Sequence, residues 1–150
     1  MGIVVRKAVW EDADVLTDLA MRAKASWGYD EAFMEACREE LTMTPARMAA
    51  WQVWVAETDG EAAGMIALNL TQGAEVEDFF VEAGLQGQGV GRALMDVLLE
   101  ACRTAGVTTL EVDADPNAEG IYAKLGFSTV GRSPSGSIPG RWLPRMRRDL

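Results

Sequence analysis

The sequence predicts a mixed α/β fold, in which one sheet of six to seven strands is flanked by about four to five helices. Three observations predict it. Short β-type segments alternate with helical periodicity along the chain, two of them are joined by an Asp-Gly turn, and one strongly amphipathic helix separates two others. The 150 residues are the length of one domain, so residues 1–150 are assigned to a single domain.

The first half of the chain is predicted to form a strand, three helices and a hairpin. Apolar residues at helical spacing (Val15, Leu16, Leu19 and Ala23) follow the first helix start, and Gly28 is expected to end that helix. The predicted elements are a strand over 3–9, helices beginning at Asp12, Asp30 and Thr44-Pro45, and strands over 51–56 and 62–70 that flank the turn 58–61. This part of the sheet is therefore expected to be antiparallel.

The second half is centred on the amphipathic helix, whose apolar stripe runs without a break from Val90 to Ala105. Because a helix crosses between them, the strands predicted over 74–81 and 107–113 are expected to be a parallel pair. The remaining predicted elements are a helix over 116–125, strands over 127–130 and 145–150, and a loop over 133–140.

The composition excludes several kinds of chemistry. The chain has no histidine, which removes Ser-His and Cys-His mechanisms, and Cys37 and Cys102 alone cannot form a zinc site, so no metal is expected. Both cysteines are expected to be buried and reduced, which favours a cytoplasmic location. No apolar run is long enough to cross a bilayer and the N-terminus lacks the pattern of a signal peptide, so no membrane association is expected.

The net charge of −9 is spread unevenly. Segment 57–119 carries 13 acidic residues and two basic ones, whereas segment 132–150 carries five arginines and one aspartate. Such an acidic middle argues against nucleic acid as a partner, because binding phosphates needs a basic face. Solubility and attraction of a cationic substrate both explain the acidity, and the charge alone leaves both open.

A glycine-rich turn over 84–91 precedes the amphipathic helix. Glycines allow the chain to turn tightly, and the first amides of a helix are unpaired donors at the positive end of its dipole. With Arg92, the turn is suited to bind a polyphosphate. It lacks the Gly-Lys-Ser/Thr of a P-loop and a complete G-x-G-x-x-G dinucleotide motif, and a turn that merely connects strand and helix is the alternative.

Two segments resemble the signatures of the GNAT superfamily of N-acetyltransferases. The pattern Gln86-x-x-Gly89-x-Gly91-Arg92-Ala93 is similar to the superfamily's acyl-CoA pyrophosphate loop, and 115–127, with Tyr122 and a terminal Gly-Phe, is similar to its second signature. The second segment departs from the pattern, because Asp115 stands where many relatives carry asparagine and Asn117 is displaced by two residues.

The resemblance implies a GNAT-like fold and direct acetyl transfer from acetyl-CoA, the co-substrate, to a primary amine. It implies that the amide of Val81 holds the oxyanion and that Tyr122 protonates the departing thiolate, although a buried tyrosine with a locally bonded hydroxyl is the alternative. The residues that it assigns to cofactor binding are Phe79, Phe80, Val81, Gln86, Gly87, Gln88, Gly89, Val90, Gly91, Arg92, Asn117 and Tyr122.

Carboxylates on two neighbouring strands are candidates for the general base and for acceptor binding. Strict alternation places Glu75 and Glu77 on the face of Phe79 and Val81, with Asp78 on the opposite face. On the next strand, Glu111 and Asp113 share one face. An acidic acceptor pocket explains these carboxylates, and ion pairs with the C-terminal arginines explain them equally well.

The acceptor is expected to be a small-molecule amine, and Trp27 and Tyr29 are expected to contact it, since relatives form the acceptor wall there. A plain helix–helix contact is the alternative for these aromatics. A non-catalytic acyl-CoA-binding module and a protein or peptide N-acetyltransferase are the alternative functions. Sheet edges and the apolar segment 142–144 permit a homodimer.

Overall fold

The computed structural model describes residues 2–150, and within them it contains seven strands and five α-helices. The strands are β1 (Ile3–Lys7), β2 (Gln52–Thr58), β3 (Glu61–Asn69), β4 (Ala74–Val81), β5 (Thr109–Asp113), β6 (Ser128–Pro134) and β7 (Trp142–Asp149). The helices are α1 (Ala13–Ala25), α2 (Glu31–Leu41), α3 (Pro45–Ala50), α4 (Val90–Thr104) and α5 (Glu119–Lys124), with short 3-10 turns at Trp10–Asp12 and Pro116–Ala118.

The strands form one sheet in the order β1-β2-β3-β4-β5-β7-β6. The pair β4–β5 is parallel and every other neighbouring pair is antiparallel, which confirms the predicted mixed sheet. The predicted hairpin is confirmed as well: Asp59 and Gly60, with φ of 52° and 79°, form the two-residue tip between β2 and β3.

Helices cover both faces of the sheet. On one face, the apolar stripe of α4 (Val90, Leu94, Leu98 and Cys102) is buried together with residues of α5, and on the other face α1 and α2 bury Leu16, Leu19 and Cys37. The close approach of α4 depends on Gly64, because a Cβ there would lie 3.0 Å from side-chain carbons of both Val90 and Leu94. Within residues 2–150, none of the helices has both the length and the apolar character that a bilayer crossing needs.

Most of the predicted starts of the helices are confirmed. Asp30 and Thr44 accept hydrogen bonds from the amides of Phe33 and Arg47 and so cap α2 and α3. Asp12 differs, because it ends a 3-10 turn and its carboxylate binds the amide of Val9 and the guanidinium of Arg6. Val15, which the helical spacing placed in the core, is 51% exposed.

The C-terminal third departs from the predicted boundaries. The helix predicted over 116–125 is divided into a 3-10 turn and α5, and β6 extends to Pro134, into the segment predicted as a loop. β7 begins at Trp142, before the predicted start at residue 145, and β5 begins at Thr109, after the predicted start at residue 107. Because β7 lies between β5 and β6, it brings its arginines beside β5.

The prediction that Glu75 and Glu77 share the face of Phe79 and Val81 is wrong. Leu68 of β3 pairs with Val76, and the preceding Ala67 pairs with Asp78, so Glu77 is the extra residue of a β-bulge. Because of the extra residue, the side chains before the bulge lie on the faces of the sheet opposite to those that strict alternation predicts. Glu75 therefore lies on the face of Asp78, whereas Val76 and Phe79 are both packed in the core under α4.

Candidate active site

The glycine-rich loop between β4 and α4 is formed by residues with left-handed backbone conformations. Gly84, Gly87 and Gly89 have φ of 87°, 80° and 91°, which favour glycine strongly. Gly89 is the N-cap of α4, and the side chain of Gln86 braces the loop by bonding the amide of Gly84 and the carbonyl of Val81. The loop thus has a defined shape that its own side chains support.

The main-chain amides of residues 86–92 have no hydrogen-bond partner within residues 2–150. The first bond of the helix is donated by Ala93 to the carbonyl of Gly89, at 3.0 Å. Upstream, the amides of Gly84 and Leu85 are already bonded. A run of free donors at the positive end of a 15-residue helix is a binding site for an anion such as a diphosphate.

A cavity of about 850 Å³ extends from this loop towards α5, and we call it the donor cavity. Its wall includes most of the residues predicted to bind the cofactor: Phe79, Phe80, Val81, Gln86, Gly87, Gly89, Gly91, Arg92 and Tyr122. Gln88 and Val90 are not in the wall, and the side chain of Val90 is buried in the core. Asn117 is not in the wall either; its amide group donates to Tyr29 and Asp115 instead.

The edge of β4 that faces the donor cavity carries main-chain N–H groups that are not paired with another described strand. β4 pairs with β5 only from Ala74 to Val76, so within residues 2–150 its C-terminal half has no neighbouring strand on that side. The amide of Glu82 donates to Ala63 of β3, and strand alternation therefore directs the amide of Val81 away from β3, into the gap. This is the amide predicted to hold an oxyanion.

A second cavity of about 280 Å³, the acceptor cavity, lies on the other side of the gap. The two cavities share five wall residues, which are Trp27, Phe79, Phe80, Ala118 and Tyr122. The acceptor cavity is also lined by charged side chains of α1, α2, α3, β4 and the segment before β7, including Lys24, Glu40, Arg47, Asp78 and Arg141. A group bound in one cavity can thus meet a group bound in the other at Tyr122.

Asp78 is a buried carboxylate in the wall of the acceptor cavity. It is 8% exposed, and within residues 2–150 it makes no ion pair or hydrogen bond through its side chain. Burial raises the pKa of Asp78 to about 7; Arg47 and Lys24 oppose the rise, and Glu77 and Glu40 add to it. Asp78 can therefore exchange a proton near neutral pH, which suits a general base.

Tyr122 is fully packed apart from its hydroxyl end. Its ring makes edge-to-face contacts with Phe79 and Phe127, at 5.7 and 5.3 Å between centroids. No hydrogen bond of the described residues involves the hydroxyl, so the local hydrogen bond that was the alternative explanation is not present, and Tyr122 lines both cavities. Burial and the nearby charge of Asp78 raise the pKa of Tyr122, which keeps the hydroxyl protonated and able to donate.

The other candidate carboxylates are bound by other side chains, although Glu77 and Asp113 also line the acceptor cavity. Arg145 of β7 forms ion pairs with Glu75, Glu111 and Asp113, and its bonds to Glu75 and Asp113 raise the pKa of the guanidinium. This is the ion-pair explanation that the sequence left open. Glu77, on the bulge, is exposed and accepts a hydrogen bond from Asn69 at 2.9 Å. Of the three predicted base candidates, Asp78 alone is buried in a cavity wall without a partner in the part of the chain that the structure describes.

Tyr29 does not line the acceptor cavity directly, whereas Trp27 lines both cavities. The Tyr29 ring stacks on Phe33 at 4.0 Å, and its hydroxyl donates to Asp115 at 2.9 Å, while Arg141 and Asn117 donate to it. Burial raises the pKa of Tyr29, and its bond to Asp115 raises it further. Tyr29 thus connects the α1–α2 turn to the wall residues Asp115 and Arg141.

Sequence reasoning missed Lys24 and Arg141 as residues of the site. Lys24 is on α1 among residues with ordinary helical spacing, and Arg141 follows a glycine in a loop, so neither stands in a recognisable motif. Only the fold brings them together at Asp115. Within residues 2–150, no group of three or more metal-binding side chains is present.

Comparison with known proteins agrees with this geometry. Residues 15–149 match the family described as acetyltransferase (GNAT) domain. Peptidyl-lysine N-acetyltransferase YjaB from Salmonella typhimurium is 32% identical over 81 residues, which cover 54% of this chain and 53% of that protein. The chain thus spans about half the length of such a curated relative.

Solved structures share the fold over the whole chain. A GCN5-related N-acetyltransferase from Rhodopseudomonas palustris is 25% identical, with a TM-score of 0.84 and coverage of 100% of this chain and 97% of that one. PaiA N-acetyltransferase from Thermoplasma acidophilum, solved in complex with coenzyme A, is 18% identical, with a TM-score of 0.79 and full coverage of both chains.

Proposed function

The chain belongs to the GNAT family of acetyltransferases, and we propose that it transfers an acetyl group from acetyl-CoA to the primary amine of a small molecule. The observation that carries the proposal is the junction of the two cavities at Tyr122, with a buried carboxylate in one and free main-chain amides in the other. Acetyl-CoA would supply the acetyl thioester, and the residues of this chain would bind, orient and move protons.

The donor cavity fits an acyl-CoA molecule in shape and in donors. The free amides of 86–92 and the guanidinium of Arg92 would bind the diphosphate, which a chain of net charge −9 would otherwise repel. The unpaired edge of β4 would bind the amide groups of the pantetheine arm. The amide of Val81 would stabilise the oxygen that becomes negatively charged as the amine attacks.

Asp78 would act as the general base. An amine must lose a proton to attack a thioester, and a carboxylate whose pKa is about 7 accepts that proton near neutral pH. Tyr122 would then donate a proton to the departing thiolate from the shared wall of the two cavities. Tyr122 lies at the junction and Asp78 lines the acceptor cavity, and neither side chain is hydrogen-bonded to another group among the described residues.

A small acceptor is supported by the size of the acceptor cavity. Its volume of about 280 Å³ is about a third of the volume of the donor cavity, and residues of several helices and strands surround it. A protein or peptide N-acetyltransferase is the second candidate, because YjaB is described as acting on peptidyl lysine. The cavity volume is the reason to place the small amine first.

The direct test is thiol release from acetyl-CoA in the presence of a panel of small amines and of lysine-containing peptides. The proposal expects amine-dependent release of free coenzyme A with matching formation of an N-acetyl product, detected by mass spectrometry. Binding of coenzyme A without amine-dependent release would instead indicate the non-catalytic binding module. Release with peptides and with none of the small amines would favour the second candidate.

A further inference from the structure

Two cations in the acceptor cavity share one carboxylate. Asp115 has an oxygen 3.6 Å from Nζ of Lys24 and 3.3 Å from Nη2 of Arg141. The side chains of Lys24 and Arg141 are only 12% and 17% exposed, and both line the cavity. One negative charge between two positive charges leaves a local surplus of one positive charge at these three side chains, although five carboxylates and three cations line the cavity as a whole.

The two cations also have hydrogen-bond donors that the protein does not use. The distance of 3.6 Å from Nζ of Lys24 to Asp115 is too long for a hydrogen bond, and Nζ has no other acceptor within residues 2–150. Nη2 of Arg141 donates to Tyr29 and Asp115, while its Nε and Nη1 have no protein acceptor in the same range. Charged donors with little exposure favour an anionic partner.

The third cation of the cavity, Arg47, is already committed. Its Nη1 donates to the carbonyls of Glu39, Glu40 and Thr42 at the end of α2. The guanidinium of Arg141 lies 4.9 Å from the ring of Phe33, but this contact uses none of its N–H donors. The wall carboxylates Glu40 and Asp78 have no ion-pair partner in the described part of the chain. The cavity thus offers carboxylates for an amine and, at Lys24 and Arg141, donors for an anion.

We propose that the acceptor is a small amine that also carries a carboxylate, and that Lys24 and Arg141 bind this carboxylate. The inference rests on the proposed function. A surplus of one positive charge matches a single carboxylate, whereas a phosphate monoester carries about −1.5 to −2 and would lie near Glu40 and Asp78. A volume of 280 Å³ is the space of about nine water molecules and accommodates an amino acid.

Binding can be measured without catalysis, by calorimetry on the full chain saturated with coenzyme A. The probes are the twenty protein amino acids, β-alanine and 4-aminobutyrate. Each is compared with two neutral counterparts, in which the carboxylate is replaced by a carboxamide or removed. We expect at least one carboxylate-bearing amine to bind about tenfold or more tightly than both neutral counterparts. Equal binding within every set, no binding by any carboxylate, or tighter binding of 2-aminoethyl phosphate would overturn the inference.

The variant Lys24→Gln tests the assignment, because Lys24 makes no hydrogen bond that its loss would break. We expect the affinity ratio between the carboxylate and its carboxamide to fall towards one in Lys24→Gln. The ratio should be kept in Lys7→Gln, a substitution of the same type on β1 outside both cavities. A ratio that persists in Lys24→Gln would contradict the assignment.

The two proposals fail in different ways. If the protein acetylates neutral amines as well as those with a carboxylate, the anion-binding inference fails and N-acetyl transfer stands. If no amine is acetylated, N-acetyl transfer fails, and the binding ratio still decides whether Lys24 and Arg141 bind a carboxylate.

Discussion

The donor and acceptor cavities meet at Tyr122 but are constructed from different parts of the chain. The donor cavity presents main-chain groups: the free amides of 86–92 and the unpaired edge of β4. The acceptor cavity presents charged side chains from seven different segments. Main-chain groups are present whatever the side chains are, so a co-substrate bound by them tolerates most side-chain substitutions. An acceptor bound by side chains depends on their identity, so we expect substitutions in the acceptor cavity to have larger effects.

The largest effect is expected in the acceptor cavity, from Asp78→Asn, which keeps the size of the side chain and removes the base. We expect kcat to fall by about 10³-fold, in the range of general acid–base catalysis. The rise of the wild-type rate through pH 7, where Asp78 loses its proton, should disappear. Glu75→Gln and Glu77→Gln should stay within about threefold of wild type, since Glu75 is paired with Arg145 and the exposed Glu77 accepts a hydrogen bond from Asn69.

The same substitution should change how stability depends on pH. Because the pKa of Asp78 is higher in the folded state than its ordinary value of 3.8, ionisation costs stability as the pH rises from about 4 through 7. Asp78→Asn should therefore be more stable than wild type at pH 8, with the advantage lost near pH 4. Thermal unfolding at the two pH values checks this, and an equal difference at both would contradict the burial of the carboxylate.

A smaller loss is expected at the junction of the cavities, from Tyr122→Phe. We expect kcat to fall by about 10²-fold, because the thiolate loses its proton donor. The free energy of unfolding should barely change, since no hydrogen bond within residues 2–150 involves the hydroxyl and the side chain lines both cavities. A large loss of stability with kcat maintained would show that Tyr122 contributes to packing and not to proton transfer between groups bound in the two cavities.

In the donor cavity, Gly89→Ala should act on binding of the co-substrate. A side chain at φ of 91° strains the loop, and we expect the KM for acetyl-CoA to rise about tenfold as the free amides move. Gly106→Ala is the matched control, because Gly106 has φ of 76° just after the other end of α4 and open space around it. The control should lose a similar amount of stability and keep its KM for acetyl-CoA. A rise of this KM in both variants would contradict a specific role of the 86–92 amides.

The smallest effect on catalysis is expected beside the acceptor cavity, from Arg145→Gln. The change leaves Glu75, Glu111 and Asp113 without their shared cation, and we expect it to cost about 2 kcal/mol of unfolding free energy. The rate should fall by less than about threefold, because this ion-pair cluster supports the sheet rather than the reaction. Urea unfolding and steady-state kinetics on the same preparation measure both quantities.

The donor cavity could be predicted from sequence because its determinants are local. Glycines at 84, 87 and 89 and the start of α4 lie within one continuous segment, so the spacing alone indicates a turn with free amides. The parallel pair β4–β5 followed from the helix that crosses between them. Each of these inferences needed only neighbours in the chain.

The acceptor cavity could not be predicted because its determinants are distant in sequence. The bulge at Glu77 depends on the register of β3 against β4, which alternation along one strand does not contain. Arg145 can pair with three carboxylates only because β7 lies beside β5 in the sheet. Lys24 and Arg141 are 117 positions apart and meet only at Asp115.

The central claim is that free main-chain amides of 86–92 hold the co-substrate against the junction at Tyr122. Amide chemical shifts of the ¹⁵N-labelled protein during titration with coenzyme A test it most directly. We expect large saturable shifts for 86–92 and for Val81, with none at the Asp59-Gly60 hairpin tip. Shifts confined to other segments, or amides of 86–92 that do not respond at saturation, would contradict it.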